Sequence, residues 1–357
     1  MKLYRRYVGR EVMGAVLLVL LGFLALFAFF DMLGEIRNVG QGGYQLRHAF
    51  AFVLLRIPGR VYELMPIAVL IGTLYALSTL ARHSEITVLR VSGLSSGGLL
   101  TVLFQVAGLL AVLTFLIGEY VAPPSERAAF QLRSKERTGM VGQDLRSGLW
   151  VKDERSFINV RIVLPDTRLR GIRIFEFDED AKLRSMTEAA EGEYVVPDSW
   201  RLTNVVQTVL EGGRAEVRSV PDMQWRSALN PDILAVLLVS PDRMSLRHLS
   251  AYTKHLADNH QTTNRYDIAF WKKVIYPLAG LVMVALALPF GGAHSRVEGV
   301  GLKIFVGVMI GTLFHMLNGL FSNLGAINHW SPLLSAATPS VLFLLAATAM
   351  IWWVEKR

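Results

Sequence analysis

Few side chains in this sequence stand at the spacing that a catalytic or nucleotide-binding site requires. The chain contains no cysteine, which excludes disulfide bonds, thiolate metal ligands and cysteine nucleophiles. It also lacks the motifs GxxxxGKS/T, GxGxxG, HExxH and GxSxG, by which proteins cradle phosphates, bind dinucleotides, hold zinc or present a nucleophilic serine. The sequence therefore supports no enzyme active site, no cofactor and no metal on this chain, and any ATP hydrolysis requires a separate partner.

The histidines are scattered, and one of them lies inside a long uncharged stretch. This residue is His315. Ionisable groups inside a membrane-crossing helix are costly and often functional. Two interpretations remain open: a neutral ring hydrogen-bonded to a neighbouring helix, or a functional group. A membrane-embedded enzyme would need a polar cluster in such stretches, and His315 is the sole candidate.

A second group of chemically informative residues is the charged connection that begins at Ala81 and ends at Gly93. Its sequence, ARHSEITVLRVSG, can form a short amphipathic helix in which Arg82, Glu85 and Arg90 give a charged face. Such a helix could dock on a cytoplasmic protein. The alternative is an ordinary solvated turn between two helices.

The elements that position these residues are long apolar stretches. A bilayer core about 30 Å thick is crossed by roughly 20 apolar helical residues, and six stretches meet that requirement. The first follows several basic residues, as a signal peptide does, but its apolar part is longer than the roughly 7–15 apolar residues of a signal peptide and no convincing small-x-small cleavage site follows. We therefore interpret it as a retained anchor. The six stretches cover residues 12–30, 64–81, 91–118, 274–293, 304–328 and 331–354.

Basic residues near the ends of these stretches predict the orientation in the membrane. With the N-terminus inside, ten Lys and Arg residues fall on the cytoplasmic side and six in the short outer loops. The cytoplasmic residues are Lys2, Arg5, Arg6, Arg10, Arg82, Arg90, Arg296, Lys303, Lys356 and Arg357, and the outer ones are Arg37, Arg47, Arg56, Arg60, Lys272 and Lys273. Both termini are then cytoplasmic, and residues 125–270 are periplasmic.

The predicted outer side carries more basic residues than the non-cytoplasmic side of a membrane protein usually does. Four of them follow the third stretch: Arg127, Arg133, Lys135 and Arg137. These cations could be anchors that snorkel to the membrane surface. As a group they also suit an anionic amphiphile that arrives from the outer leaflet. The 125–270 block itself is neutral, with 21 basic and 21 acidic residues, which argues against nucleic acid as a ligand.

The block between the third and fourth stretches shows the alternation of β-strands from residue 148 to residue 226. Turn-forming residues interrupt it, among them Pro165-Asp166, Pro197-Asp198 and Gly212-Gly213. The pattern predicts an all-β sandwich or an open jelly roll. A helix is expected from Ser245 to Asp258, leading back to the membrane.

Glycines in the fifth stretch form one GxxxG step, at Gly307 and Gly311. Such a step permits close helix approach and fits an intermolecular or moving helix contact.

Several ordered segments resemble the LptF/LptG permease family of the lipopolysaccharide export machine, and its LptG branch more than its LptF branch. The segments are Gly40–Gly42, Arg82–Gly93, Gly118–Pro123, Gly148–Asp153, Trp271–Leu278, Ala287–Phe290, Leu317–Phe321 and Pro332–Leu334. The resemblance covers nearly the whole chain, in the order of three spans, a β-domain and three spans.

The resemblance implies a permease subunit of an ABC transporter that extracts lipopolysaccharide from the inner membrane. The implied partners are an LptF-like permease, two copies of an LptB-like ATPase that hydrolyses ATP with Mg, and LptC and LptA, which receive the lipid. In such proteins the position of Glu85 lies in the coupling helix that docks on the ATPase, and we expect Arg82 and Arg90 to contribute.

For the lipid we expect phosphate contacts from Arg37, Arg133, Lys272 and Lys273. Asp31 departs from some relatives, in which a lysine can occur at this position. Acyl chains are expected to contact apolar residues of the first and fifth spans, namely Leu26, Phe30, Phe305, Phe314 and Phe321.

We therefore expect an α-helical membrane protein with six transmembrane helices and an inserted all-β, jelly-roll-like periplasmic domain. The expected division is residues 1–124 with a coupling helix near 82–93, residues 125–270 and residues 271–357. Two other functions remain open: the LptF-type subunit of the same machine, and a membrane-anchored periplasmic sensor. A sensor would need a cytoplasmic output domain, for which no cytoplasmic stretch is long enough.

Overall fold

The architecture was analysed in a computed structural model of the chain. The model describes residues 2–137, 148–164, 168–180, 182–195, 199–211, 214–227, 229, 234, 240–259, 261–291 and 300–356. The predicted turns at 165–166, 197–198 and 212–213 lie outside the described residues, as does Arg296.

Six helical segments are long and apolar enough to cross a membrane, which confirms the prediction from the sequence. The first three spans comprise α1 (Lys2–Ile36), α2 (Leu46–Arg82) and a composite helix, with the short helix α3 (Glu85–Val91) between the second and third. The composite helix consists of α4 (Ser96–Leu116), a π-helical turn (Ile117–Val121) and α5 (Ala122–Arg137).

The last three spans follow the β-domain. The fourth consists of α7 (Asn264–Ile275) and α8 (Ala279–Ala287), joined by a 3-10 turn (Tyr276–Leu278). Pro277 lies in that turn, where its missing N–H interrupts the α-helical hydrogen bonds. A second 3-10 turn (Leu288–Gly291) follows α8, and the fifth and sixth spans are α9 (Val300–Ile327) and α10 (Pro332–Glu355).

Helix α2 is the centre of the membrane part. In its most apolar stretch 83% of the residues are buried, compared with 22% for α1 and for α9. A Cβ atom added to Gly72 of α2 would lie 2.6 Å from the Cα of Val16, so α1 and α2 touch backbone to backbone there. On α9, Gly307 and Gly311 pack against Ile71 and Ile67 of α2. The GxxxG step therefore makes a contact within the chain.

The inserted region contains one antiparallel sheet, which confirms the predicted all-β domain. Its strands are β1 (Leu149–Asp153), β2 (Ser156–Val163), β3 (Leu169–Phe177), β4 (Leu183–Val195), β5 (Ser199–Glu211) and β6 (Arg214–Arg226). Each strand pairs with the next one along the chain, so the six described strands form a single meander.

Alternate residues of the strands form the core of this domain. Val160, Ile172, Ala189 and Val205 are neighbours across four strands and are all buried. Trp200 is fully buried at one end, and its indole Nε1 donates to the carbonyl of Leu229 at 2.7 Å. The periodicity of two along each strand thus places the apolar set on one face.

Helix α6 (Leu246–Asp258) returns the chain to the membrane. As expected, Ser245 is its N-cap, and the side-chain oxygen of Ser245 accepts from the backbone N–H of His248. The helices on both sides of the sheet are longer than the apolar stretches: the expected domain boundaries at residues 125 and 270 fall inside α5 and α7.

Candidate functional site

The connection between the second and third spans forms the predicted short helix, α3. Ile86 is buried and Leu89 is half-buried, in an apolar cluster with Val8 of α1 and Leu99 of α4. The opposite side of α3 is apolar too, but it is exposed: Val88 is 63% and Val91 is 85% accessible. One face therefore fixes the helix to the membrane part, and the other face is open to a protein partner.

The charged residues of this connection lie at the end of α2 (Arg82) and at the two ends of α3 (Glu85 and Arg90). Arg82 and Arg90 are exposed, and neither forms an ion pair within the described part of the chain. Glu85 is held by α1, because the hydroxyl of Tyr7 donates to its carboxylate Oε2 at 2.7 Å. The sequence gave no indication of Tyr7, which lies 78 residues away along the chain.

A cluster of ion pairs lies at the other end of α1. The carboxylate of Asp31 accepts two hydrogen bonds from Arg60, from Nη2 at 2.8 Å and from Nε at 3.1 Å. Arg56 donates to the same carboxylate at 3.2 Å, and Glu63 accepts from Nη1 of Arg60 at 2.8 Å. Asp31 is thus the counter-ion of two arginines one helical turn apart on α2.

Arg133, one of the expected phosphate ligands, belongs to the same region. Its Nη1 lies 3.3 Å from the carboxylate of Glu35 at the end of α1, and its guanidinium lies over the ring of Phe52. The Glu35 side chain is 7% exposed and also accepts from the hydroxyl of Tyr44 and the amide of Asn38. About a third of the Arg133 side chain is exposed.

The other three expected phosphate ligands differ in their surroundings. Arg37 follows α1 and is exposed. Lys272 is half-buried and pairs with Asp242 at 3.0 Å. Lys273 is buried: its ammonium contacts the backbone carbonyl of Met244 and lies 3.7 Å from Glu119. In this structure the Lys273 ammonium holds helices together, and a phosphate group has little access to it.

Glu119 is the counter-ion of the buried Lys273 ammonium. It lies on the π-helical turn of the third span, and its carboxylate accepts from the backbone N–H of Leu246 at 2.8 Å, at the start of α6. A carboxylate at a helix N-terminus is favourable because the helix dipole is positive there. Glu119 and Lys273 therefore join the third span, the fourth span and α6.

The residues expected to contact acyl chains lie on α1 and α9, each of which packs against α2. Leu26, Phe30 and Phe305 are exposed, and Phe321 is half-buried. Phe314 differs, since it is buried against Phe343 of α10 with ring centroids 5.1 Å apart. Four of the five are thus accessible from outside the chain.

His315 lies on the exposed side of α9, near the middle of the span. Among the described residues no hydrogen bond to its ring is present. Within the described part of the chain, the ring of His315 is therefore not bonded to a neighbouring helix.

Comparison with known proteins identifies the family of this membrane protein. The family model for the lipopolysaccharide export system permease LptF/LptG matches residues 6–353. The lipopolysaccharide export system permease protein LptG of Haemophilus influenzae is 30% identical over 353 residues, covering 99% of this chain and 98% of that protein. The LptG protein of Escherichia coli K12 is also 30% identical, over 354 residues and the same shares. With its six apolar spans and its inserted six-stranded sheet, this chain belongs to the LptF/LptG family of lipopolysaccharide export permeases, as a multi-pass protein of the inner membrane.

Proposed function

We propose that this chain is the LptG-type subunit of the permease and pairs with an LptF-like subunit. The observation that carries the proposal is the match to the family and to LptG proteins over nearly the whole chain. The exposed apolar faces of α1 and α9 support it, because only 22% of the residues in the most apolar stretch of each are buried. Large uncovered apolar faces of this kind suit a second set of spans and a lipid.

The proposed orientation places both termini in the cytoplasm and residues 125–270 in the periplasm. The distribution of Lys and Arg supports it. In this orientation α3 faces the cytoplasm, where its exposed valines and Arg90, together with Arg82 at the end of α2, are available to a protein. We propose that α3 docks on one of two LptB-like ATPase subunits, with Glu85, Arg82 and Arg90 at the contact.

The substrate is lipopolysaccharide, a polyanionic amphiphile. Arg37 and Arg133 are the proposed phosphate ligands that this structure leaves most accessible, whereas Lys272 pairs with Asp242 and Lys273 is buried beside Glu119. Arginine suits phosphate because its planar fork donates two parallel hydrogen bonds. The proposed apolar surface for acyl chains consists of Leu26, Phe30, Phe305 and Phe321. Phe314 is buried against Phe343 of α10 and supports α9 from inside.

The proposed onward path leads through the β-domain to LptC and LptA. Strand β6 supports it, since it lies at one edge of the sheet and extends over 13 residues, against five for β1 at the other edge. A long edge strand can receive a strand from a neighbouring sheet.

The experiment that tests the proposal is copurification of the tagged permease pair with an LptB-like ATPase. We expect Glu85→Lys to abolish recovery of the ATPase, because it reverses a charge at the centre of the proposed contact. Glu193→Lys is the matched control, since Glu193 is exposed on β4 of the distant sheet. Full recovery of the ATPase with Glu85→Lys would contradict the proposed contact, and failure of the wild-type chain to recover any ATPase would contradict the proposed function.

A further inference from the structure

The two halves of α1 are held in different ways. In the cytoplasmic half, Val8, Val12, Ala15, Val16 and Leu20 form a buried stripe at helical spacing. In the outer half, no side chain from Leu21 to Gly34 is buried, although the structure describes all of them. Packing therefore fixes the inner half, whereas in the outer half Phe23, Leu24 and Phe27 are only half-buried against that core and ion pairs at the helix end add to their contacts.

Those contacts are ion pairs in which α1 supplies every carboxylate and other helices supply the cations. Asp31 binds Arg56 and Arg60 of α2, and Glu35 binds Arg133 of α5. The arginines are partly desolvated: the side chains of Arg56 and Arg60 are 16% and 21% exposed. Phe52 and Phe27 lie against their guanidinium groups.

Charged groups in such surroundings need a counter-ion. Removing one partner of a buried ion pair is strongly destabilising, because the remaining charge is left without compensation. If the outer half of α1 moved away, Arg56 and Arg133 would lose the carboxylates they bind, and Arg60 would keep only Glu63, so the cluster would carry uncompensated positive charge that another anion could neutralise. A phosphate group satisfies that requirement, since an arginine fork binds carboxylate and phosphate oxygens in the same bidentate manner.

Glu63 shows that the exchange need not disorder the site. It lies on α2, three residues after Arg60, and binds the Nη1 atom that Asp31 does not use. Glu63 would therefore stay with Arg60 and keep its guanidinium in place while the Nε and Nη2 atoms become available.

We propose that Asp31 and Glu35 are exchangeable counter-ions: they occupy Arg56, Arg60 and Arg133 until the outer half of α1 moves, and the phosphate groups of the lipid then take their place. The proposal rests on the proposed function and extends it, because it adds Arg56 and Arg60 to the phosphate site. It also assigns a role to Asp31, the carboxylate that both arginines share.

The test compares lipid affinity in the complete, detergent-solubilised transporter. The probes are lipid A carrying its phosphates, the dephosphorylated lipid and inorganic phosphate. We expect Asp31→Asn to raise the affinity for the phosphorylated lipid by about tenfold, since the lipid no longer has to displace a carboxylate. The affinity for the dephosphorylated lipid should stay unchanged, and inorganic phosphate should displace the lipid weakly.

Two variants serve as controls. Asp31→Glu keeps the charge and should retain the wild-type affinity. Glu63→Gln removes a carboxylate from the same arginine without involving α1, and its effect on affinity should be clearly smaller than that of Asp31→Asn. Equal gains in Asp31→Asn and Glu63→Gln would overturn the proposal, because a change in net charge alone would then explain both.

Other outcomes are equally decisive. An unchanged or lower affinity in a folded Asp31→Asn complex would overturn the exchange, as would an equal gain for the dephosphorylated lipid. Displacement of the lipid by micromolar inorganic phosphate would overturn the lipid headgroup as the ligand. If Asp31→Asn fails to assemble, Glu35→Gln tests the same exchange at Arg133. Absence of lipid binding by the wild-type complex would instead contradict the proposed function.

Discussion

Gly72 determines how closely α1 can approach the centre of the membrane part. A Cβ atom at this position would lie 2.6 Å and 2.7 Å from the Cα and N atoms of Val16. Both are backbone atoms, which cannot rotate away as the end of a side chain can. The glycine therefore sets the distance between two helices at the point where the buried half of α1 packs.

We expect Gly72→Ala to destabilise the protein by about 1–3 kcal/mol, the usual cost of inserting a methyl group into a packed interior. The measurement is the thermal unfolding midpoint of the purified complex. Gly108→Ala is the matched control, because Gly108 lies within α4 and a Cβ there meets nothing within 4 Å. Equal midpoints for the two variants would show that α1 can shift freely at Gly72.

The paired cations show what could and could not be predicted at the scale of residues. Arg133 lies in α5 and Lys272 in α7, and their expected contact with lipid phosphate on the outer side stays a prediction. Their neutralisation by Glu35 and Asp242 was not predicted, because those carboxylates lie far away in the sequence. Arg56 and Arg60 were counted as outer cations, but their shared partner Asp31 was interpreted only as a departure from relatives. The signal in the sequence was the spacing of four residues between Arg56 and Arg60, which places both on one face of a helix, where they can share a counter-ion.

At the scale of elements, α3 is attached to α1 as well as to the two helices that it connects. Tyr7 binds Glu85, and Val8 lies in the same apolar cluster as Ile86. If an ATPase docks on α3 as proposed, these contacts would pass a movement of α3 to α1, which carries Asp31 near its other end. With a rise of about 1.5 Å per residue, Tyr7 and Asp31 are roughly 36 Å apart along α1.

We expect Tyr7→Phe to leave recovery of the ATPase intact and to lower lipopolysaccharide-stimulated ATP hydrolysis roughly two- to tenfold, the range typical of a lost coupling contact. The substitution removes one hydroxyl and keeps the ring. Tyr4→Phe is the control, because the Tyr4 hydroxyl has its contact with Arg5, its own neighbour on α1. A Tyr7→Phe complex with the activity of the Tyr4→Phe complex would contradict this coupling.

The elements themselves were largely predictable because each has a strong local signal. Uncharged length identified all six spans, and alternation identified the strands. Helix ends were less predictable: α5 continues to Arg137 through a charged segment, beyond the apolar stretch. The order of the strands is a tertiary property, and alternation alone left a sandwich and a jelly roll open. The sequence also leaves open whether the GxxxG step at Gly307 and Gly311 packs against a helix of this chain or of another chain. In the structure it packs against α2.

At the scale of the whole molecule, one arrangement relates the sites to each other. Helix α3 and the ion pairs of Asp31 lie at opposite ends of α1, so the proposed ATPase contact and the proposed phosphate site require opposite sides of the membrane. The six Lys and Arg residues assigned to the outer side weaken the prediction from charge, although five of them lie in α2 or α7 and only Arg37 lies in a loop. Four of them are in ion pairs: Arg56, Arg60, Lys272 and Lys273. A nearby carboxylate offsets part of the desolvation free energy of a cation at the membrane boundary.

The absence of cysteine makes this orientation directly testable, because each introduced cysteine is the only thiol in the chain. We expect Glu193→Cys, on the exposed surface of β4, to react with a membrane-impermeant maleimide once the outer membrane is opened. Lys356→Cys, beyond the last span, should react only after the inner membrane is also opened. The control is a complex without cysteine in this chain, which should remain unlabelled. Protection of Glu193→Cys together with labelling of Lys356→Cys would place the sheet in the cytoplasm, where it could not pass a lipid outward.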